Sequence, residues 1–136
     1  MATFLLELVS PEKLLLSRPV EMVTIPAEEG EMGVLPGHAP MIVALRGGVI
    51  RVRENGSETE ALFIAGGFAE VSPERVTLLA DEATPLASLS RAAVERRLAE
   101  AEAALQAAIA EPEAKRDAAY ARVQAFRTAV SVAQAA

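Results

Sequence analysis

The residues able to do chemistry in this chain are few, and they gather in one short stretch. Gly30-Glu31-Met32-Gly33-Val34-Leu35-Pro36-Gly37-His38-Ala39-Pro40 holds the single histidine of 136 residues, together with an acidic residue, three glycines and two prolines. As a general base, His38 would need a nucleophile and a positioned partner. No nucleophile motif accompanies it, and a lone histidine in a Gly/Pro segment reads as structural or interfacial. Glu28, Glu29 and Glu31 would suit a hard cation, but the spacing of a calcium loop is absent. They read as a solvated loop or a polar protein contact. The chain has no cysteine, which excludes thiol nucleophiles, disulfides and thiolate-held metals; one histidine excludes a His-rich metal site. Gly30, Gly33, Gly37, Gly47-Gly48 and Gly66-Gly67 match neither a phosphate-binding loop nor a dinucleotide fingerprint. They read as turn and bulge positions. No catalytic set, metal site or cofactor is expected.

The elements that must position these residues fall into two parts. Through Ala87 there are six basic against thirteen acidic side chains, and from Ser88 onward seven against six. The net charge of −6 argues against nucleic-acid binding, which needs a basic footprint. Half of the chain is apolar, enough for a core. No signal peptide is evident, and no apolar run has the roughly 18 to 20 residues of a membrane span. Any membrane association is expected to be indirect.

Up to about Ala83 the pattern is one of short strands separated by turns. Phe4 to Val9 is one strand, turned by Ser10-Pro11-Glu12. Val20 to Ile25 is another, with Pro26 expected to end its pairing because proline has no N–H. Met41 to Leu45 is a third, stopped at Gly47-Gly48. Val49 to Phe63 reads as a β-hairpin turned at Asn55-Gly56, which suits a type I′ turn. A two-residue loop there would set Arg53 opposite Glu58 and Arg51 opposite Glu60. Phe68–Val71 and Val76–Leu79 read as a second β-hairpin around Ser72-Pro73-Glu74-Arg75. The expectation is an all-β domain over residues 1–84, an antiparallel sandwich or barrel.

From Ser88 the period becomes helical. Val94, Leu98, Ala101, Leu105 and Ala108 recur at spacings of four and three, and Ala119, Val123, Phe126, Val130 and Ala133 do the same. Ser88 or Ser90 suits the first cap. Glu111-Pro112-Glu113 reads as a short link with its proline in the first turn of the second helix. An antiparallel helical hairpin over 88–136 follows. Its seam is mostly alanine, so it is expected to be marginally stable and loosely held, as a movable element or an ordinary tail would be. Its basic residues Arg91, Arg96, Arg97, Lys115, Arg116, Arg122 and Arg127 fit either a solvated face, with Arg96 and Glu100 paired at i,i+4, or a docking surface for an acidic protein.

Ser10-Pro11-Glu12, the Gly30–Pro40 stretch, Gly66-Gly67-Phe68-Ala69-Glu70-Val71 and Val76-Thr77-Leu78-Leu79-Ala80-Asp81 occur in the order found in the epsilon-subunit family of F-type ATP synthases, whose mitochondrial counterpart is called delta. The chain resembles that family over essentially its whole length. The resemblance implies a sandwich of about ten strands followed by two antiparallel helices. It implies a non-catalytic part of the central stalk, gripping the gamma subunit, resting on the c-ring, and coupling rotation to catalysis. It implies helices that fold on the sandwich or extend along gamma and inhibit ATP hydrolysis. Glu31 matches the position facing the c-ring and His38 the position facing gamma. Arg122 and Arg127 are carried over as a class that meets the catalytic beta subunit. Some members hold ATP through an Ile/Leu-Asp-x-x-Arg-Ala motif. Here Arg91-Ala92 match its end, but Ser88 stands in place of the Asp and Ala87 in place of the aliphatic residue. ATP binding is therefore not expected. The place implied is the cytoplasmic side of a bacterial inner membrane. The residues alone also fit a stand-alone β-sandwich binding module with a helical oligomerisation tail.

Overall fold

The computed structural model describes residues 2–108 and 113–135. Its strands are β1 (Phe4–Val9), β2 (Leu14–Val20), β3 (Met22–Ala27), β4 (Gly30–Val34), β5 (Met41–Leu45), β6 (Gly48–Glu54), β7 (Ser57–Ile64), β8 (Gly67–Val71), β9 (Arg75–Ala80) and β10 (Ala83–Pro85). Helices α1 (Arg91–Ala108) and α2 (Glu113–Ala135) follow a 3₁₀ turn over Leu86–Ser88. The strands run in the order β10-β7-β6-β3-β5-β8-β9-β1-β2, with β4 paired to β3. This is the expected ten-strand sandwich with its helical hairpin. One pairing departs from antiparallel: β1 lies parallel to β9.

Three strands have no counterpart in the sequence reading: β2, β4 and the short β10. β2 lacks alternation, and β4 is built from the Gly30–Val34 half of the segment read as a loop. Pro26 does not end its strand. β3 pairs β6 through Met22–Thr24 and β5 only at Ala27, so Pro26 falls where the neighbour changes and no donor is needed. Its carbonyl still accepts from the Arg46 N–H at 2.9 Å.

The Asn55-Gly56 turn is as expected, with φ of 51° and 79°. Arg53 faces Glu58, but the pairing of Arg51 with Glu60 is not found: a bulge shifts the register by one, so Arg51 faces Ala61 and Val52 faces Glu60. The extra residue is Thr59. Its hydroxyl donates to Glu54 Oε2 at 2.5 Å, while Arg18 of β2 donates to the two oxygens of Glu54 at 2.7 and 3.1 Å and to Glu60 at 3.3 Å. Arg51 reaches back to Glu58 at 3.3 Å. Thr59's hydrogen bond, then Arg18's, hold the Glu54 carboxyl below its ordinary value, and Glu54 raises that of Arg18. The network clips β2 to the β6–β7 hairpin.

The inner core is built wholly from strands: Leu6, Leu8, Val20, Val23, Ile25, Ile50, Val52, Ile64 and Leu78 are among its buried members. Phe63 points the other way along β7, into a second cluster with Val94, Ala101, Val123, Phe126 and Ala129 of the helices. Ser90 caps α1, its Oγ accepting from the Ala93 N–H at 3.4 Å. Ser88 lies in the 3₁₀ turn instead. The Glu111-Pro112 part of the expected link lies outside the described residues.

Candidate functional site

Two outer faces of the sandwich and the helical hairpin hold what this chain can present to a partner. β3 and β4 form a β-hairpin that places Glu31 opposite Pro26, one pair from the Glu28-Glu29 turn. Glu31 is exposed there. β4 then runs away from that turn, and His38 sits beyond its far end. The His38 N–H donates to Leu35 O at 3.3 Å, the ring Nδ1 lies 2.8 Å from Ala39 O, and the Gly37 N–H donates to Pro73 O at 2.8 Å. These bonds fix the segment against the β8–β9 turn. The structure therefore separates Glu31 and His38 to opposite ends of the sandwich, so one protein patch cannot use both unless it spans the length of β4.

Between those ends lies a face that sequence reasoning missed. Cross-strand partners Ala44, Phe68, Leu79, Val9 and Leu14 make one row over β5, β8, β9, β1 and β2. Phe68, Leu79 and Leu14 are more than half exposed, and Ile42, on the same face of β5, is 77% exposed. The adjacent row is polar: Glu70 faces Thr77, which faces Glu7, and Arg75 Nε donates to Glu7 at 2.5 Å. An apolar centre with a charged margin is the anatomy of a protein interface. The signal in the sequence was the adjacent Leu78-Leu79, since neighbouring strand residues point to opposite faces.

The end of β6 and β7 beside Gly47 and Phe63 is covered instead. α2 comes so close at Gly47 that a Cβ there would meet both Cα and Cβ of Ala125 at 2.6 Å. Ala125 at this contact and Ala129 in the cluster around Phe63 are both buried, though outside the expected helical stripe. An open cleft of about 790 Å³ runs beside it, lined by Glu31, Arg46, Arg51, Asp81, Phe68 and Tyr120 among others.

Arg97 of α1 ion-pairs with Glu82, which follows β9, and its guanidinium carbon lies 4.5 Å over the Phe126 ring. Arg122 stacks on the same ring at 5.0 Å. Arg127 is exposed; five residues from Arg122, it stands about 140° around the helix. Arg91 Nε donates to Glu95 at 2.9 Å, so its guanidinium is engaged on its own helix, and Ser88 is exposed. The Arg96–Glu100 pair expected from spacing is absent among the described residues; Arg91–Glu95 is the i,i+4 pair that forms.

Residues 3–86 match the family described as ATP synthase, Delta/Epsilon chain, beta-sandwich domain. Similar proteins named ATP synthase epsilon chain include one from Granulibacter bethesdensis, 64% identical over 103 residues and 76% of each chain. Another, from Rhodospirillum rubrum, is 53% identical over 96 residues, 71% of this chain and 72% of its own. Among solved structures, a chain of the Euglena gracilis mitochondrial ATP synthase (OSCP/F1/c-ring) superposes with a TM-score of 0.73 at 31% identity, covering 94% of this chain and 79% of that one. A chain of the Tetrahymena thermophila mitochondrial ATP synthase central stalk and c-ring shares the fold, with a TM-score of 0.62 at 15% identity over 93% and 96%.

Proposed function

Because the chain belongs to the delta/epsilon family of ATP synthase subunits, we propose that it is a non-catalytic rotor component that docks on gamma through the open apolar row. The observation that carries this reading is the row itself. Phe68, Leu79, Leu14 and Ile42 lie exposed on one face, and none of the described residues covers them. His38 sits at one end of that face and contacts gamma; Glu31, at the other end, contacts the polar loops of the c-ring. The fixed backbone around His38 lowers the ordering cost of docking. The subunit is peripheral to a membrane complex, at the cytoplasmic side of the bacterial inner membrane. No described helix is long and apolar enough to cross a membrane, in keeping with attachment through other subunits.

The helical hairpin modulates ATP hydrolysis by the catalytic alpha and beta subunits, with Arg122 and Arg127 as its basic contacts. It does so without bound ATP. The engagement of Arg91 with Glu95 and the serine in place of the motif's carboxylate support that reading.

Phe68→Glu and Leu79→Glu test the docking. Each puts a carboxylate where gamma would bury it, and each should weaken gamma binding by about 3 kcal/mol, roughly a hundredfold. Unfolding of the isolated chain should shift by no more than about 0.5 kcal/mol. Gamma binding at unchanged affinity in both variants would refute the assignment. Truncation after Ala87 in the assembled complex should raise hydrolysis while keeping gamma bound; unchanged hydrolysis would remove the inhibitory role.

A further inference from the structure

We propose that Arg97 is the latch residue of the helical hairpin: its bond to Glu82 and its stacking on Phe126 set how much of the hairpin is docked on the sandwich, and salt loosens it. The latch is a property of this chain alone and holds whatever the sandwich docks onto.

Glu82 belongs to the sandwich side. Its backbone carbonyl accepts from the Ala65 N–H at 3.2 Å, fixing it beside the end of β7. Arg97 belongs to α1 and Phe126 to α2, so one guanidinium ties both helices to the sheet. The rest of the dock is slight. Beyond Phe63 it consists mainly of small groups, Ala65 against the helical cluster and Ala125 seated on Gly47. Among the described residues, Arg97–Glu82 is the one ion pair between the sandwich and the helices, and it adds to this packing.

The carboxylate is asymmetric. Glu82 Oε1 takes Arg97, while Oε2 is shielded from solvent and has no hydrogen-bond partner among the described residues. With Arg97 gone, Glu82 keeps one oxygen shielded and unpaired and loses the partner of the other, although its side chain is 39% exposed; leaving a charge without its partner costs more than losing the pair, by an amount that solvent reduces here. With Glu82 neutralised, Arg97 keeps its stacking and its half-exposed route to water. The two single substitutions should therefore differ, and the double, which loses the stacking but leaves no unpaired carboxylate, should lie between them. Arg122, stacked on the same ring, is a like charge that the Glu82 carboxylate does not pair, so screening acts on the one attraction that favours docking.

The test is single-molecule energy transfer between dyes at Ser57→Cys on the β-hairpin turn and Ser131→Cys on α2. The absence of native cysteine makes both labels unique. Exposed ion pairs and cation–π contacts are each worth a factor of about two to five. Arg97→Gln should raise the undocked-to-docked ratio about five- to tenfold, and Glu82→Gln about two- to fivefold. Glu82→Gln combined with Arg97→Gln should fall no lower in docking than Arg97→Gln alone. The control Arg96→Gln should change nothing. In the unsubstituted chain, going from about 0.01 M to about 1 M salt contracts the Debye length from about 30 Å to about 3 Å, and the ratio should rise several-fold. Equal docking in Arg97→Gln and the parent, or a ratio flat across that salt range, overturns the proposal. Should a variant unfold, the salt series on the parent decides alone. If docking proves salt-independent, the latch is packing only and the ionic assignment is wrong.

Discussion

Adding one methyl group at Gly47 should have opposite effects on the two halves of this chain. The Cβ of Gly47→Ala would lie 2.6 Å from the Cα and the Cβ of Ala125, where ordinary contacts begin near 3.4 Å. Backbone cannot yield as a flexible side chain does, so α2 must retreat by about 1 Å. A gap of that size forfeits a quarter to a half of each dispersion contact across the dock, and overpacking of this kind costs about 1–3 kcal/mol. The loss is capped by the docking energy, because past that point the helices simply leave. On the sandwich side the same methyl is harmless, since the φ of Gly47 lies outside the left-handed region. In a chain ending at Ala87, where the inner core is complete without the helices, Gly47→Ala should stabilise by about 0.4–1 kcal/mol through the unfolded state. Urea unfolding of both lengths, with the dye-pair readout on the full chain, measures each effect. Stabilisation of the full and truncated chains alike, with docking unchanged, would refute the close approach of α2.

Gly67→Ala should be far more damaging than Gly30→Ala. Gly67 has φ of 143° and its Cβ would fall 2.0 Å from Leu79 O, whereas Gly30 at 139° faces open space. Urea midpoints should show losses of about 2–5 kcal/mol for the first and about 1–3 kcal/mol for the second; a reversed order would contradict the packing at β8 and β9. The Glu54 carboxyl is held below its ordinary 4.5 by Thr59 and then by Arg18, so its contribution is complete above that value and fades as pH falls through the depressed one. Glu54→Gln should flatten the acid limb of the stability curve below about pH 5, and an unchanged limb would show that the network contributes nothing. Glu31→Ala and His38→Ala should each leave the unfolding free energy within about 0.5 kcal/mol; loss of cooperative unfolding in either would assign that residue a role in the fold.

Local rules reached the elements whose signals are local. Asn55-Gly56 set a turn and Ser72–Arg75 another, because φ preference is a property of one or two residues. The helical stripe was legible from spacing, yet Ala125 and Ala129 were not, since their burial depends on where the sheet presents Gly47 and Phe63. Thr59 shows the same limit: a bulge depends on Glu54 and Arg18 as well as on β7. Family resemblance carried Glu31 and His38, but not their placement at opposite ends. Arg97 was visible only as one basic residue among seven; nothing nearby in the chain marks Glu82 or Phe126 as its partners.

The parallel seam between β1 and β9 governs how this molecule is made. Arg75 and Glu7, bonded across it, stand 68 positions apart, and most of the sandwich must be synthesised before the first strand finds its second neighbour. During translation the amino-terminal β1–β2 hairpin leaves the ribosome early and waits with an unsatisfied edge. Closing so distant a pair slows folding, and until it closes the nascent chain exposes the strand edge most prone to mispairing. The helices follow β10 in the chain, so every strand of the sheet is synthesised before them.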